Sequence, residues 1–164
     1  MKQPSLILFS ILILFFTTQS FAEEKFIQGT AKVIDGDSIK IQGINIRLIG
    51  IDAPEKKQLC FKGDKAFNCG LASKTHLEKL IKQERNNVIC SFKSSDKYGR
   101  ILGNCLTSQS LWNLNSLMVL QGWAVAYTRY TDQFLNEQEI AKKKRLGLWS
   151  TKFDYPEDWR KKNR

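Results

Sequence analysis

Apolar and polar residues alternate with a period of two between residues 26 and 49, and this pattern predicts three β-strands. The strands cover residues 26–34, 38–41 and 44–49, separated by turns at 35–37 and 42–43. In the third strand, Ile44, Ile46 and Leu48 fall on one face. Because side chains alternate between the faces of a strand, Arg47 points to the opposite, more polar face.

The second half of the chain changes to helical patterns after a predicted loop over residues 50–68, where Pro54 disfavours helix. Helices are predicted over 70–84, 110–121 and 132–146, the last capped by Asp132 and ended by Gly147. Two further strands, 88–92 and 101–106, flank a turn at 97–100. Five strands with about three helices predict an α+β, mainly β fold, a five-stranded OB-type barrel.

The first 22 residues have a different pattern, with Lys2 followed by an apolar run over 6–16 and the small-x-small sequence Ser20-Phe21-Ala22. This pattern predicts a secretory signal peptide cleaved after Ala22. An uncleaved anchor is the alternative, but the apolar run is short for a hydrocarbon layer of roughly 30 Å. We therefore expect a signal peptide at 1–22 and one domain at 23–164 with a short basic C-terminal tail. The product would be a secreted or periplasmic monomer without stable membrane association.

Export makes disulfides the expected state of the four cysteines, because disulfides persist in oxidising compartments. Four cysteines can pair in three ways. In a hairpin, the residue numbers of any two directly opposed residues add up to the same value. If Cys90 and Cys105 are opposed, that value places the centre of the hairpin within the predicted turn at 97–100. This register favours Cys90–Cys105 and leaves Cys60–Cys69 to close a short loop. A metal site and four free thiols are the weaker alternatives.

Charge indicates the kind of partner. The chain has 26 Lys plus Arg against 16 Asp plus Glu, a formal net charge of +10, and 42% hydrophobic residues. That apolar content excludes a disordered low-hydrophobicity polymer. The basic excess favours a polyanionic substrate through general electrostatic attraction.

Three short motifs at predicted turns carry candidate chemistry: residues 35–38, 52–55 and 96–100. Each motif alone is typical of a polar turn. Together with Arg47 they supply the groups that phosphodiester hydrolysis needs, namely oxygen ligands for a hard cation, an acid to handle water, and guanidiniums for the phosphate. The corresponding candidates are Asp37 and Asp52 for the metal, Glu55 for the water, and Arg47 with Arg100 for the phosphate.

At these motifs the sequence resembles the staphylococcal nuclease family, over roughly residues 26–150. The matching segments are Val33-Ile34-Asp35-Gly36-Asp37-Ser38, residues 47–55, Asp96-Lys97-Tyr98-Gly99-Arg100, Gln121-Gly122-Trp123-Ala124 through Tyr127, and Leu146-Gly147-Leu148-Trp149-Ser150. The resemblance implies an OB-fold endonuclease that uses Ca²⁺ to cleave DNA and RNA and leaves 3′-phosphate ends.

The resemblance also implies roles for single residues. Asp37, Asp52 and the main-chain carbonyl of Ala53 match calcium ligands, and Arg47, Glu55 and Arg100 match catalytic positions. Tyr98 and Tyr127 match residues that touch the bound nucleotide. The chain departs from the family's pattern at Ala53, where Thr is frequent, and at Cys60 and Cys69, which the best-known member lacks.

Two other functions are considered: a nucleic-acid-binding OB module without catalysis, and a secreted structural domain whose acids and arginines form ion pairs. The module would not need all five ionisable candidates. Trp112, Trp123 and Trp149 are predicted to be core residues, and His76 a structural residue. Residues 142–145 are predicted to form a solvated helix face. The tail at 159–164 is either a disordered basic end or a docking strip.

Overall fold

The computed structural model describes residues 23–163, and the predicted signal peptide at 1–22 lies outside the described residues. The strands are β1 Lys25–Asp35, β2 Ser38–Ile41, β3 Ile44–Leu48, β4 Ile51–Asp52, β5 Leu59–Lys62, β6 Lys65–Asn68, β7 Asn87–Ser95, β8 Ile101–Thr107 and β9 Val125–Ala126. The helices are α1 Cys69–Gln83, α2 Leu114–Leu120, α3 Leu135–Lys143 and α4 Pro156–Lys162, with a 3₁₀ turn at Gly147–Ser150. No helix within 23–163 is both long and apolar enough to span a membrane.

Five strands close into a barrel in the order β1-β2-β3-β8-β7, which confirms the predicted α+β fold with an OB-type barrel. All neighbours are antiparallel except β3 and β8. The inward-facing positions are apolar, as the period-two pattern requires. The main core residues are Val33, Ile39, Ile41, Ile46, Leu48, Leu77, Ile81, Val88, Leu114 and Met118. Ile44, expected on the same buried face, is instead exposed at the start of β3.

Both predicted disulfides are present. Cys90 and Cys105 are direct partners in the β7–β8 register, so their bond crosslinks two barrel strands. Cys60 in β5 is bonded to Cys69 at the first turn of α1. All four cysteines are paired in the described chain.

The prediction of a loop over 50–68 is wrong in two places. β4 pairs with β9, and β5 pairs with β6 in a hairpin. Gly63 takes a left-handed conformation (φ 59°) in the turn of that hairpin, which an L-residue rarely adopts. The disulfide holds this hairpin against α1, where it contributes to a small second core with Leu148.

The second predicted helix begins later than residue 110. Leu111 has a left-handed φ of 54°, which is incompatible with helix, and Ser110 is held outside it by hydrogen bonds to the Glu84 carboxylate. The helix starts after Asn113, whose side chain accepts from the Ser116 amide. As a result Trp112 lies in the turn and is 48% exposed, so its prediction as a core residue is wrong.

The ends of the third predicted helix also differ. Asp132 does not cap α3 through its side chain; only its carbonyl accepts from the Leu135 amide. The helix ends at Lys143, because Arg145 adopts a left-handed φ of 53° before Gly147 is reached. Beyond it, α4 forms in residues for which no helix was predicted.

The Cys90–Cys105 crosslink is testable by removing it. In the loop-entropy model, closing a loop with a sequence separation of 15 stabilises the fold by about 3 kcal/mol. The Cys90→Ala/Cys105→Ala variant should lose about that much unfolding free energy in urea denaturation. Non-reducing peptide mapping of the parent checks the pairing itself, and a Cys60–Cys90 peptide would contradict the register.

Candidate functional site

The turn between β1 and β2 buries Asp37, which is only 4% exposed. Its carboxylate accepts hydrogen bonds from the Ala53 amide at 2.7 Å and from the Ser38 hydroxyl at 3.1 Å. Its main-chain carbonyl accepts from the Leu48 amide. Asp37 therefore joins the first turn to the segment that follows β4.

Arg47 projects from β3 beside this turn, since it is paired in register with Ser38. Its guanidinium forms an ion pair with Asp37 and donates to Asp52 Oδ1 at 2.8 Å and to the Ile51 carbonyl at 3.2 Å. Burial lowers the pKa of Arg47, and the adjacent Asp52 carboxylate opposes that shift. One guanidinium thus bridges two buried carboxylates.

Asp52 ends β4 and is held there by the pairing of β4 with β9. It is 1% exposed. Besides Arg47, it binds Arg160 of α4 through both carboxylate oxygens, at 2.9 Å each. Glu55, three residues later, accepts a third hydrogen bond from the same Arg160 guanidinium at 2.9 Å.

The loop that contains Glu55 is fixed by Gln58, a fully buried residue. The Gln58 side chain accepts from the Glu55 amide at 3.1 Å and donates to the Asp154 carbonyl at 2.7 Å. The Gln58 amide in turn donates to the Glu55 carbonyl. Gln58 therefore ties the Glu55 loop to the C-terminal segment.

Arg100 approaches from the turn between β7 and β8. Asp96 accepts from the Arg100 amide at 3.0 Å and from its Nε at 2.7 Å, with Nη2 also at 2.7 Å from the same carboxylate. Partial burial opposes ionisation of Asp96, but these hydrogen bonds outweigh it and lower the pKa of the carboxyl. The half-buried Arg100 side chain is thereby fixed in the turn.

The described residues form a cleft of about 390 Å³ at this end of the barrel, into which the sequence-predicted candidates converge. Tyr98 stands at the rim and is 70% exposed, within cation–π distance of Arg100. Tyr127 is half-buried and packs edge-on against Tyr130. Burial and the nearby Glu157 and Asp52 charges raise the pKa of Tyr127. The predicted residues lining the cleft are Asp37, Arg47, Ala53, Glu55, Tyr98, Arg100 and Tyr127, with Asp52 behind Arg47 and Arg160.

Three residues that hold predicted site residues in place were not predicted from the sequence: Gln58, Asp96 as the anchor of Arg100, and Arg160. A helix at 156–162 has a recognisable signal, because Pro156 stands at its first position, acids follow in the first turn, and bases end it. That signal would have identified α4 but not its docking site. Gln58 has no comparable local signal.

The floor of the cleft, which is the part around Arg47 and Arg160, has an excess of negative charge, whereas Lys97 and Arg129 add bases to the rest of the lining. Asp37, Asp52 and Glu55 contact the guanidiniums of Arg47 and Arg160, and Asp35 lines the cleft near them, while Asp96 and Arg100 neutralise each other. Carboxylate oxygens are the ligands that hard divalent cations prefer. No group of three or more His, Cys, Asp or Glu side chains within 23–163 is arranged to hold a metal. A cation here would therefore need main-chain carbonyl or water ligands besides Asp37 and Asp52.

Comparison with known proteins finds a match between residues 45–151 and the model of the family described as staphylococcal nuclease homologue. The matched range contains Arg47, Asp52, Glu55 and Arg100, and Asp37 precedes it.

Similar proteins include three bacterial relatives. An uncharacterized endonuclease of Haemophilus influenzae is 34% identical across 100% of this chain and 89% of its own length. The micrococcal nuclease of Shigella flexneri is 37% identical, covering 73% of this chain and 71% of the relative. The succinoglycan biosynthesis protein ExoI of Rhizobium meliloti is 34% identical over 74% of this chain, which spans 63% of that protein's length.

The Asp96 carboxylate offers a pH-dependent test of how Arg100 is held. Because the folded-state pKa of Asp96 is lowered, its stabilisation is present above the unfolded pKa of about 3.9 and is lost as the pH falls through the folded value. Asp96→Asn should cost about 1 kcal/mol in urea unfolding at pH 7, and that difference should shrink as the solution is acidified. Asp64→Asn, in the exposed β5–β6 turn, is the control. An equal loss at low and neutral pH would contradict the ion pair.

Proposed function

Because the chain belongs to the staphylococcal nuclease homologue family, we propose that it is a calcium-dependent endonuclease that hydrolyses phosphodiester bonds of DNA and RNA to 3′-phosphate products. Relatives named micrococcal nuclease and endonuclease support a nuclease. The calcium dependence and the range of substrates are inferred from the residues of the site and from the family resemblance.

One observation carries the proposal. Two buried acids, a half-buried acid and two arginines from four separate segments of the chain meet at one cleft: Asp37, Asp52, Glu55, Arg47 and Arg100. The acids lie around Arg47 and Arg160, while Lys97, Arg100 and Arg129 line the rest of the open cleft. This separation of charges suits a cationic ligand beside a phosphate.

The donor chemistry fits a hard cation such as Ca²⁺. Asp37 and Asp52 are side by side, since both contact the Arg47 guanidinium. Ala53, which follows Asp52, donates its main-chain amide hydrogen bond to the Asp37 carboxylate. These two carboxylates and the Ala53 carbonyl would hold the ion. When bound, a divalent cation would polarise the phosphoryl group and orient water.

The remaining chemistry belongs to the side chains of this protein. Glu55 would accept a proton from the attacking water, whose oxygen bonds to phosphorus while the bond from phosphorus to the 5′ oxygen breaks. The leaving 5′ oxygen would take a proton from solvent water, and Glu55 would return its own proton to solvent. Arg47 and Arg100 would donate to the phosphate oxygens on which negative charge accumulates. Asp96 accepts from Nε and Nη2 of Arg100, so the Nη1 protons remain available for the phosphate.

Export is part of the same proposal: the protein is secreted or periplasmic and works as a monomer. Two disulfides in a domain of this size support an oxidising compartment. The N-terminal pattern at 1–22 supports a cleaved leader.

Cation dependence is tested with purified residues 23–164 on plasmid DNA and on RNA, each with CaCl₂ or with excess chelator. Cleavage of both substrates should occur with CaCl₂ and disappear with chelator, since two carboxylates and one main-chain carbonyl hold an ion weakly. A Kd in the roughly 10⁻⁴–10⁻³ M range is expected for so sparse a site. Full activity in chelator would remove the cation from the mechanism, and binding without cleavage would favour the non-catalytic module.

Catalysis is separated from binding with Arg100→Lys and Glu55→Gln. Lysine keeps the charge but loses the two-pronged donor, and glutamine cannot accept the proton, so kcat should fall by about 10²-fold or more with a much smaller change in KM. Lys143→Ala, on the exposed face of α3, is the control and should change mainly the salt dependence of binding. A kcat within a few-fold of that of the parent would show that Arg100 and Glu55 only form ion pairs and do not take part in catalysis.

A further inference from the structure

The C-terminal segment after residue 151 lies beyond the range that matches the family model, yet it reaches the cleft. It supplies α4, and α4 supplies Arg160. The contacts that this segment makes indicate what it does at the site.

The segment is anchored before it reaches the site. Lys152 and Phe61 exchange main-chain hydrogen bonds at 2.8 and 2.9 Å, which adds a bridge to the edge of β5. Phe153 packs against the core formed by the Cys60–Cys69 disulfide and Leu148. The Asp154 carbonyl then accepts from Gln58. The β5–β6 hairpin thus fixes the start of α4.

The helix is held across the cleft at two points. At its N-terminal end Glu157 forms an ion pair with Arg129, in the loop that follows β9. At its C-terminal end Arg160 makes a two-pronged contact with Asp52 and a further hydrogen bond to Glu55, all at 2.9 Å. The Arg160 side chain is 26% exposed, so these contacts are partly shielded from water.

Both oxygens of Asp52 are therefore occupied by guanidinium donors, Oδ1 by Arg47 and Arg160 and Oδ2 by Arg160. A divalent cation that binds Asp52 meets a resident positive charge at the same oxygens. Cation and guanidinium repel each other, and the shielding makes that repulsion stronger than it would be in bulk water.

We infer that Arg160 is a positioning residue of the site: it is the internal counter-ion of Asp52 and Glu55, and a divalent cation must displace it from Asp52 in order to bind. The inference rests on the proposed function only in taking Asp52 as a cation ligand. In the cation-free protein Arg160 holds the two acids in place, and through it α4 sets the concentration at which the cation binds.

A purely structural tether makes a different prediction. If Arg160 only attached α4 to the barrel, its loss would lower the melting temperature and leave cation affinity unchanged. If it is the resident counter-ion, its loss leaves Asp37, Asp52 and Glu55 with Arg47 alone, and cation affinity rises. Affinity, measured without substrate, distinguishes the two.

The experiment is isothermal titration of CaCl₂ into cation-free residues 23–164 of the parent, Arg160→Ala and Lys161→Ala. Arg160→Ala should bind Ca²⁺ about tenfold more tightly or more, because it removes one unit of charge at contact distance from a doubly charged ion. Lys161→Ala removes the same charge from the next position of α4, where Lys161 contacts Glu157 and Asp158, and should bind within about twofold of the parent. Arg160→Lys should fall between the parent and Arg160→Ala.

Arg160→Gln replaces Arg160→Ala if the alanine variant does not fold, and the same tightening is expected. Unchanged or weaker binding in the Arg160 variants, equal tightening in Lys161→Ala, or no binding by any variant overturns the inference. Plasmid cleavage by the parent is measured separately. A shift in Ca²⁺ affinity without any cleavage would contradict the proposed nuclease activity and support the role of Arg160. Cleavage without a shift in affinity would support the nuclease activity and contradict the role of Arg160.

Discussion

The arrangement of this end of the barrel depends on the contact of Arg47 with Asp37 and Asp52. Moving a guanidinium or a carboxylate out of water costs several kcal/mol unless partners replace the lost hydration. Arg47 replaces part of the lost hydration of both acids, Arg160 does the same for Asp52, and the acids in turn replace the lost hydration of Arg47. The first turn, β3 and β4 are therefore fixed relative to each other by one charged group, and a site built from separate segments can stay in place without a bound ligand.

The two disulfides stabilise different parts of this arrangement. Cys90–Cys105 joins strands of the barrel and so fixes the turn that presents Arg100. Cys60–Cys69 fixes a hairpin outside the barrel, and the C-terminal segment adds its own bridge to that hairpin before it turns into α4. One crosslink thus supports residues of the barrel wall, and the other supports the segment that carries Arg160.

The sequence predicted the features that are determined locally. The period-two pattern identified the barrel strands, and the hairpin register identified Cys90 with Cys105. The short motifs predicted Asp37, Asp52 and Arg100 as site candidates, and the structure brings them to one end of the barrel. The predictions are wrong where contacts between residues that are far apart in the sequence determine the local structure. Glu84 holds Ser110 out of the helix and exposes Trp112, and the β5–β6 hairpin is held by a disulfide and by Lys152. Arg160 meets its partners across more than a hundred residues of chain, for which no local pattern exists.

The chain has a net charge of +10, yet the floor of the cleft is acidic, and the two facts are compatible because they act over different distances. Exposed bases attract a polyanion over roughly a Debye length of 8–10 Å at ordinary salt, whereas buried carboxylates act on what touches them. Lys97, Arg100 and Arg129 line the same cleft as the acids, so a phosphate can meet bases while a cation meets carboxylates. Arg160 stands on the acidic side of that division, which is why its charge bears on the cation more directly than on the nucleic acid.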